Sequence, residues 1–244
     1  MKAHGRTDKG IVRRDNQDTF RVVPLSGGKL ILCVVCDGMG GAKAGNVASE
    51  LAVETFIQTL SDQPMTLLDD ELVGDALTDA LMAANRVVYE TAKTSLNYKG
   101  MGTTLVGAVV RRGKAHIINV GDSRAYLISK DGMLQVTRDH TLVEDLLIRG
   151  DITKKEAQNH PNRNLLTRVV GTEARVARDL FEVALESGDR LLFCSDGLTN
   201  LVSDAEILQE INSYESLEKC CEMLITLALA KGGSDNITTL VVEI

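Results

Sequence analysis

The sequence predicts an α+β fold: a central antiparallel β-sandwich flanked by pairs of antiparallel helices, in four layers ordered α-β-β-α. Three observations point there. The hydrophobic period changes in blocks, from two strand-like runs to two helical ones, to a long strand-rich stretch, to two more helices and a last strand. The strand-rich blocks are broken by short turn sequences, "SGGK", "RRGK", "GDS" and "KDG", which are read as reversing the chain locally. No regular alternation of one strand with one helix occurs, so a parallel βα architecture is disfavoured.

Taken in order, "DTFRVVPL" and "KLILCVVC" read as strands joined by a hairpin turn at Ser26 to Lys29. "AGNVASELAVETFIQTL" carries a helical stripe of Val47, Leu51, Phe56, Ile57 and Leu60. The next helix repeats Leu72, Val73, Ala76, Leu77, Ala80, Leu81, Ala84 and Val88 at steps of three and four, and is long enough to pair with the first. "TTLVGAVVRRGKAHIINVGDSRAYLISKDGMLQVT" contains four short β-rich runs and predicts an antiparallel meander. Short helical and irregular pieces interrupt it over about 137–172. Strands resume with "ARDLFEVAL" and "DRLLFCS". "SDAEILQEI" opens with the capping-box pair Ser203 and Glu206. "SLEKCCEMLITLALAKGG" stops at Lys231 and Gly232, and "NITTLVVEI" is the closing strand. With no repeat, low-complexity tract or Pro/Ser-rich linker, residues 1–244 read as one domain.

Composition narrows the function classes. The chain is 44% hydrophobic but only 3% aromatic, with no Trp, so aliphatic side chains must fill the core. A net charge of −7 disfavours nucleic acid as a partner. No run approaches the ~20 apolar residues of a membrane helix, and "MKAHGRTDKG" lacks a signal-peptide apolar region. Five cysteines, an odd number without framework spacing, point to a reduced, cytoplasmic setting. Cys33 and Cys36 form a C-x-x-C, but within a strand, three residues apart, they face opposite sides and read as core thiols.

One pattern carries chemistry. Apolar strands run directly into aspartates at turns: "LILCVVCDG" into Asp37, "LLFCSDG" into Asp196 and "HIINVGDSR" into Asp122. Asp235 stands just before the last strand and Asp18 just before "TFRVVPL". A lone aspartate at a strand end is usually a turn residue. Five at the ends of strands in one sandwich converge, and converging carboxylates stay ionised only when cations sit among them. Oxygen ligands with few histidines suit Mg²⁺ or Mn²⁺ rather than zinc. A glycine after the aspartate, as at Gly38, lets a backbone carbonyl approach the metal.

The motifs "RRDNQD", "CDGMGG", "GDSR", "SDGL" and "SDN" occur in an order and spacing that resemble the metal-dependent protein phosphatases, the protein phosphatase 2C-like (PPM) family, in its compact bacterial form. The resemblance runs from about Gly5 to the C-terminus. It implies that Asp37 bridges two metals, with the Gly38 carbonyl on one and Asp196 and Asp235 on the other. It implies that Asp18 organises metal-bound water, that Asp122 with Asp196 holds a weaker third metal, and that Arg13 binds the phosphate. The adjacent Arg14 is the competing candidate for that last role. Asn236 would orient the last ligand.

The implied reaction is hydrolysis of phosphoserine and phosphothreonine by a hydroxide bridging the metals. The implied partners are phosphorylated proteins, among them a cognate Ser/Thr kinase, with the phosphatase a monomer. No cysteine begins a C-x₅-R loop, and no G-x₄-G-K-[ST] occurs, so cysteine phosphatases and P-loop enzymes are disfavoured. The segment 137–172 would form the family's flap, with Arg149, Arg163 and Arg168 as candidate substrate contacts or a solvated face. Two positions depart from the pattern. Ala42 stands where many bacterial members have the histidine thought to protonate the leaving oxygen, and Gln17 stands where Glu is frequent. The competing reading is a metal-binding pseudophosphatase that recognises phosphoproteins without turnover.

Overall fold

A strand that is apolar on both faces has to be covered on both. Residues 30–36 are buried without interruption, and they form most of a central strand, β3 (Leu30–Met39). Leu32, Val34 and Cys36 face a layer of helices, while Ile31, Cys33 and Val35 face a second sheet. The computed structural model describes the chain apart from residues Ala42, Lys43, Leu67 and Arg112 and the side chain of Gln158.

The sheet around β3 has the order β2-β3-β5-β6-β9, with β2 (Asp18–Leu25), β5 (Leu105–Arg111), β6 (Lys114–Val120) and β9 (Asp179–Ala184). The two-residue β4 (Gly102–Thr103) pairs with the end of β3. The second sheet has the order β1-β11-β10-β7-β8, with β1 (Lys2–Asp8), β7 (Arg124–Ser129), β8 (Gly132–Gln135), β10 (Arg190–Cys194) and β11 (Ile237–Glu243). Neighbouring strands are antiparallel in both sheets. Helices α1 (Ala44–Ser61) and α2 (Asp70–Ala92) pack together on the first sheet. A short α5 (Asp196–Thr199), α6 (Asp204–Ser213) and α7 (Leu217–Ala230) pack on the second. Between β8 and β9 lie α3 (Leu142–Arg149) and α4 (Lys154–Gln158). The four-layer α-β-β-α sandwich expected from the sequence is the fold observed.

Three expectations need correction. The first strand is β1, which the reading passed over because "KAHGRTD" has no β-rich pattern; pairing with β11 along its whole length makes it a strand. The meander is two hairpins in different sheets: β5–β6 in one and β7–β8 in the other. The "GDS" break is therefore a crossing between sheets, not a hairpin turn. Third, the buried face of α1 is centred on Ala44, Ala48, Ala52, Val53, Phe56 and Leu60, whereas Val47, Leu51 and Ile57 are only partly buried. Small residues let the helix approach the sheet, and Phe56 fills the space over Gly107, where a Cβ would lie 2.7 Å from its ring. The five cysteines are buried and unpaired, with Cys33 and Cys36 in separate cores as strand alternation requires.

Candidate active site

Both sheets deliver aspartates to the same edge of the sandwich. Asp18 opens β2 and Asp37 lies near the end of β3, directly opposite it in the register. On the other sheet, the chain leaves β10 through Ser195 and begins α5 at Asp196, while Asp235 sits two residues before β11. Asp122 lies in the crossing from β6 to β7, the very break that splits the meander. Arg13, Asp37, Gly38, Asp122, Asp196 and Asp235 line one cavity of about 360 Å³, and Asp18 lies buried behind them. A further part of the lining comes from the segment after α4, through Asn164, Leu165, Leu166 and Val169.

Two close backbone approaches set this geometry. A Cβ on Gly38 would lie 2.1 Å from the Gly45 carbonyl oxygen and 2.8 Å from that of Gln17. Only glycine lets the end of β3 lie against the first turn of α1 there. A Cβ on Gly197 would lie 1.9 Å from the Asn236 carbonyl oxygen. The segments carrying Asp196 and Asp235 are therefore in backbone contact.

The carboxyl groups are electrostatically strained. Asp37 is pushed well above the ordinary carboxylate range, first by burial and then by Asp18, Asp196, Asp122 and Asp235. Burial lifts Asp18 to about 7, against the opposing pull of hydrogen bonds from Ser195 and Thr238. Asp122 is lifted to about 8 by burial, with Asp196 and Asp139 adding to it. Asp196 is raised by burial and by Asp235, while Asp37 and Asn200 pull the other way.

The groups share a cavity without meeting at a point: among the described residues no three acidic, thiol or imidazole groups converge closely enough to hold one ion. Asp235 Oδ2 accepts from Arg13 Nη2 at 2.7 Å, and Asp196 Oδ2 accepts from Asn200 at 2.9 Å. The chemistry of the set nonetheless fits a hard divalent cation. The donors are all oxygens. Asp18 Oδ1 and Asp196 Oδ1 are buried with no hydrogen-bond partner among the described residues. The upward shifts of the carboxyls are what a cation placed among them would reverse.

The structure also separates alternatives that the sequence left open. Arg13 lines the cavity, whereas the exposed Arg14 does not. Asn236 does not orient Asp235 through its side chain. Its Oδ1 accepts from Gln17 N–H and its Nδ2 donates to the carbonyls of Lys9 and Asp15, so it pins the loop bearing Arg13. Its backbone N–H donates to Asp235 Oδ1. Arg168 pairs with Asp179 at 2.7 Å beside His140, at the base of the 137–172 segment and away from the cavity. Arg163 lines an adjoining cavity of about 480 Å³ with Asp122, Asp139 and Asp196, and Arg149 is exposed at the end of α3. Ala42 lies outside the described residues.

Sequence reasoning missed the hydroxyls. Thr104 Oγ1 accepts from Asp37 N–H, Thr103 Oγ1 donates to the Asp37 carbonyl, and Ser195 and Thr238 both donate to Asp18 Oδ2. For Ser195 and Thr238 the only signal was their position, one residue from Asp196 and three from Asp235. Their partner comes from the other sheet.

Comparison with known proteins agrees with this geometry. The profile of the family Protein phosphatase 2C matches residues 12–229. The serine/threonine phosphatase stp of Listeria innocua is 42% identical over all of this chain and 96% of that protein. The crystal structure of serine/threonine phosphatase Stp1 from Staphylococcus aureus superposes with a TM-score of 0.92 at 38% identity, covering 100% of this chain and 94% of that one. The catalytic domain of the phosphatase PstP, crystallised with two manganese ions, superposes with a TM-score of 0.85 at 33% identity, covering 99% of this chain and 97% of that one. The chain belongs to the protein phosphatase 2C family of metal-dependent phosphatases.

Proposed function

We infer that this protein is a metal-dependent serine/threonine protein phosphatase that removes phosphate from phosphoserine and phosphothreonine. The observation that carries the reading is the convergence of Asp37, Asp122, Asp196 and Asp235 with Arg13 on one cavity, with Asp18 buried behind them. Asp37 and the Gly38 carbonyl, with Asp196 and Asp235, are the residues that would hold two Mn²⁺ or Mg²⁺ ions. Asp18 would orient water at that centre through its free Oδ1. Such a pair of cations supplies a water acidic enough to ionise near neutral pH and neutralises charge on the phosphoryl group. Asp122 and Asp196, which line both cavities, suit a weaker third ion.

The chain's own groups supply the rest. Arg13 lines the cavity with its guanidinium on Asp235, where a phosphoryl group would replace that carboxylate as its partner. Asn236 keeps that loop in place through three hydrogen bonds to its backbone. The segment 137–172 acts as a flap that walls the cavity with Leu165, Leu166 and Val169 and contacts the substrate protein. The substrates are phosphorylated proteins, a Ser/Thr kinase among them, acted on by a monomer in the cytoplasm. No helix of the described residues is long and apolar enough to cross a membrane.

The test is hydrolysis of phosphoserine, phosphothreonine and phosphotyrosine peptides with Mn²⁺, Mg²⁺ or chelator. Metal-dependent release from the first two, abolished by Asp37→Asn and by Asp196→Asn, is expected. Activity that survives both substitutions removes the site assignment. A protein that binds Mn²⁺ yet leaves every peptide intact is the pseudophosphatase instead.

A further inference from the structure

Behind the cavity lies a polar network, buried at Asp18, Ser195 and Thr238 and half-buried at Thr7 and Asn16, whose protons take one arrangement when Asp18 is ionised. Asp18 N–H donates to Asn16 Oδ1 at 3.1 Å, which fixes the Asn16 amide so that its Nδ2 donates to Thr7 Oγ1 at 2.9 Å. Thr7 Oγ1 and Thr238 Oγ1 are 2.7 Å apart, and Thr238 Oγ1 is 2.7 Å from Asp18 Oδ2. Each hydroxyl has one proton. The proton of Thr238 is given to the carboxylate, so the proton between the two threonines belongs to Thr7. Ser195 completes the set: its Oγ accepts from Thr238 N–H at 3.0 Å and donates to Asp18 Oδ2 at 2.7 Å. Every proton in the chain from Asn16 through Thr7 and Thr238 therefore points toward Asp18.

The consequences are geometric. Asp18 Oδ2 receives two charge-assisted hydrogen bonds, while Oδ1 has no partner among the described residues. The two donors to Asp18 come from β11 and the turn before α5, both at the second sheet, with Thr7 of β1 behind Thr238, whereas Asp18 opens β2 of the first. Ser195, Thr238 and Asp18 are all buried, so water does not compete for these bonds.

We propose that Ser195 and Thr238, with Thr7 and Asn16 behind them, are positioning residues that hold Asp18 by one oxygen and so present its other oxygen to the divalent metal centre. This rests on the function proposed above. Groups of this kind behind a metal site commonly tune metal affinity by about 10–100-fold. The network also ties the two sheets together at the edge that must hold ligands from both.

The experiment is a direct titration of free Mn²⁺ by electron paramagnetic resonance, without substrate, on folded protein checked by circular dichroism. Thr238→Val keeps the shape and removes the hydroxyl, and Ser195→Ala removes the other donor. Each is expected to weaken Mn²⁺ binding by about 10–100-fold. Thr238→Ser, which restores the hydroxyl, is expected to bind close to the unsubstituted protein. Thr7→Val, one step further back, is expected to give a smaller loss. A merely structural role would lower thermal stability without changing Mn²⁺ affinity and without rescue by serine. The proposal is overturned if Thr238→Val and Ser195→Ala bind Mn²⁺ as tightly as the unsubstituted protein while the latter remains an active phosphatase. Should Thr238→Val fail to fold, Ser195→Ala and Thr7→Val decide the question. Absence of Mn²⁺ binding by the unsubstituted protein would overturn both this proposal and the function on which it rests.

Discussion

Gly197→Ala isolates how closely two backbones must meet for the site to form. Gly197 is the second residue of α5, directly after Asp196, and its φ is not in the left-handed region, so the backbone itself admits alanine. Local helix propensity favours the substitution by about 1 kcal/mol. The added methyl, however, would stand 1.9 Å from the Asn236 carbonyl oxygen and 3.5 Å from the Asp235 Cβ. Reaching the 3.0 Å below which Cβ contacts essentially never occur takes a displacement of about 1.1 Å. That movement falls between Asp196 and Asp235, which must be placed together. A misplacement of about 1 Å near reacting groups costs on the order of 10²-fold in rate, and overpacking a filled site costs about 1–3 kcal/mol. The assay is kcat/KM for phosphate release from a phosphothreonine peptide with Mn²⁺, alongside thermal unfolding. Gly74→Ala in α2 is the matched control: it meets nothing within 4 Å and has no left-handed φ, so it is expected to keep full activity and to gain about 0.5–1 kcal/mol of stability. A Gly197→Ala protein with native kcat/KM would refute the reasoning, because the two segments would then separate without moving their carboxylates.

Other expectations follow from the same geometry. Arg13→Ala should lower kcat/KM by about 10–100-fold, the worth of a charged hydrogen bond to a phosphoryl group, while Arg14→Ala should leave it unchanged; equal losses in steady-state kinetics would reopen the choice between them. His140 is held below the ordinary histidine range by burial and then by Arg168, and its Nδ1 accepts from Gly121 N–H. Its unfolded form therefore takes up a proton first as pH falls. The stability tied to neutral His140 is present above the ordinary histidine pKa of about 6.5 and is lost as pH drops through it toward the lower folded value. His140→Asn, which keeps an acceptor for Gly121, should flatten the fall of thermal midpoint between pH 7 and 5, and an unaltered slope would count against this. Ala42→His should raise turnover on alkyl phosphates more than on aryl phosphates, since only the former leave as poor alkoxides; equal gains would mean that no acid is missing.

The fold was readable wherever local chemistry and final environment agree. The run Leu30–Cys36, apolar on both faces, demanded a central strand, and Ala76, Leu77, Ala80 and Ala84 demanded a helix with one buried side. β1 was illegible because nothing in "KAHGRTD" prefers a strand; its pairing with β11 is a long-range contact that exists only once the C-terminus arrives. The β6–β7 break was legible as a turn but not as a crossing between sheets, because a break carries no record of which strand the next one will pair with.

The site divides the same way. The sequence by itself determined the aspartates and their setting: Asp37, Asp122, Asp196 and Asp235 each stand at a strand end or beside one, and a carboxylate after an apolar run marks an edge of the core. It also determined the glycines that keep those edges thin. Tertiary structure alone decided that Arg13 and not Arg14 faces the cavity, that Asn236 pins the Arg13 loop, and that Ser195 and Thr238 meet at Asp18. Those choices depend on which face of one sheet lies against the other, and a hydroxyl 177 or 220 residues away in the chain has no partner until the sheets stack.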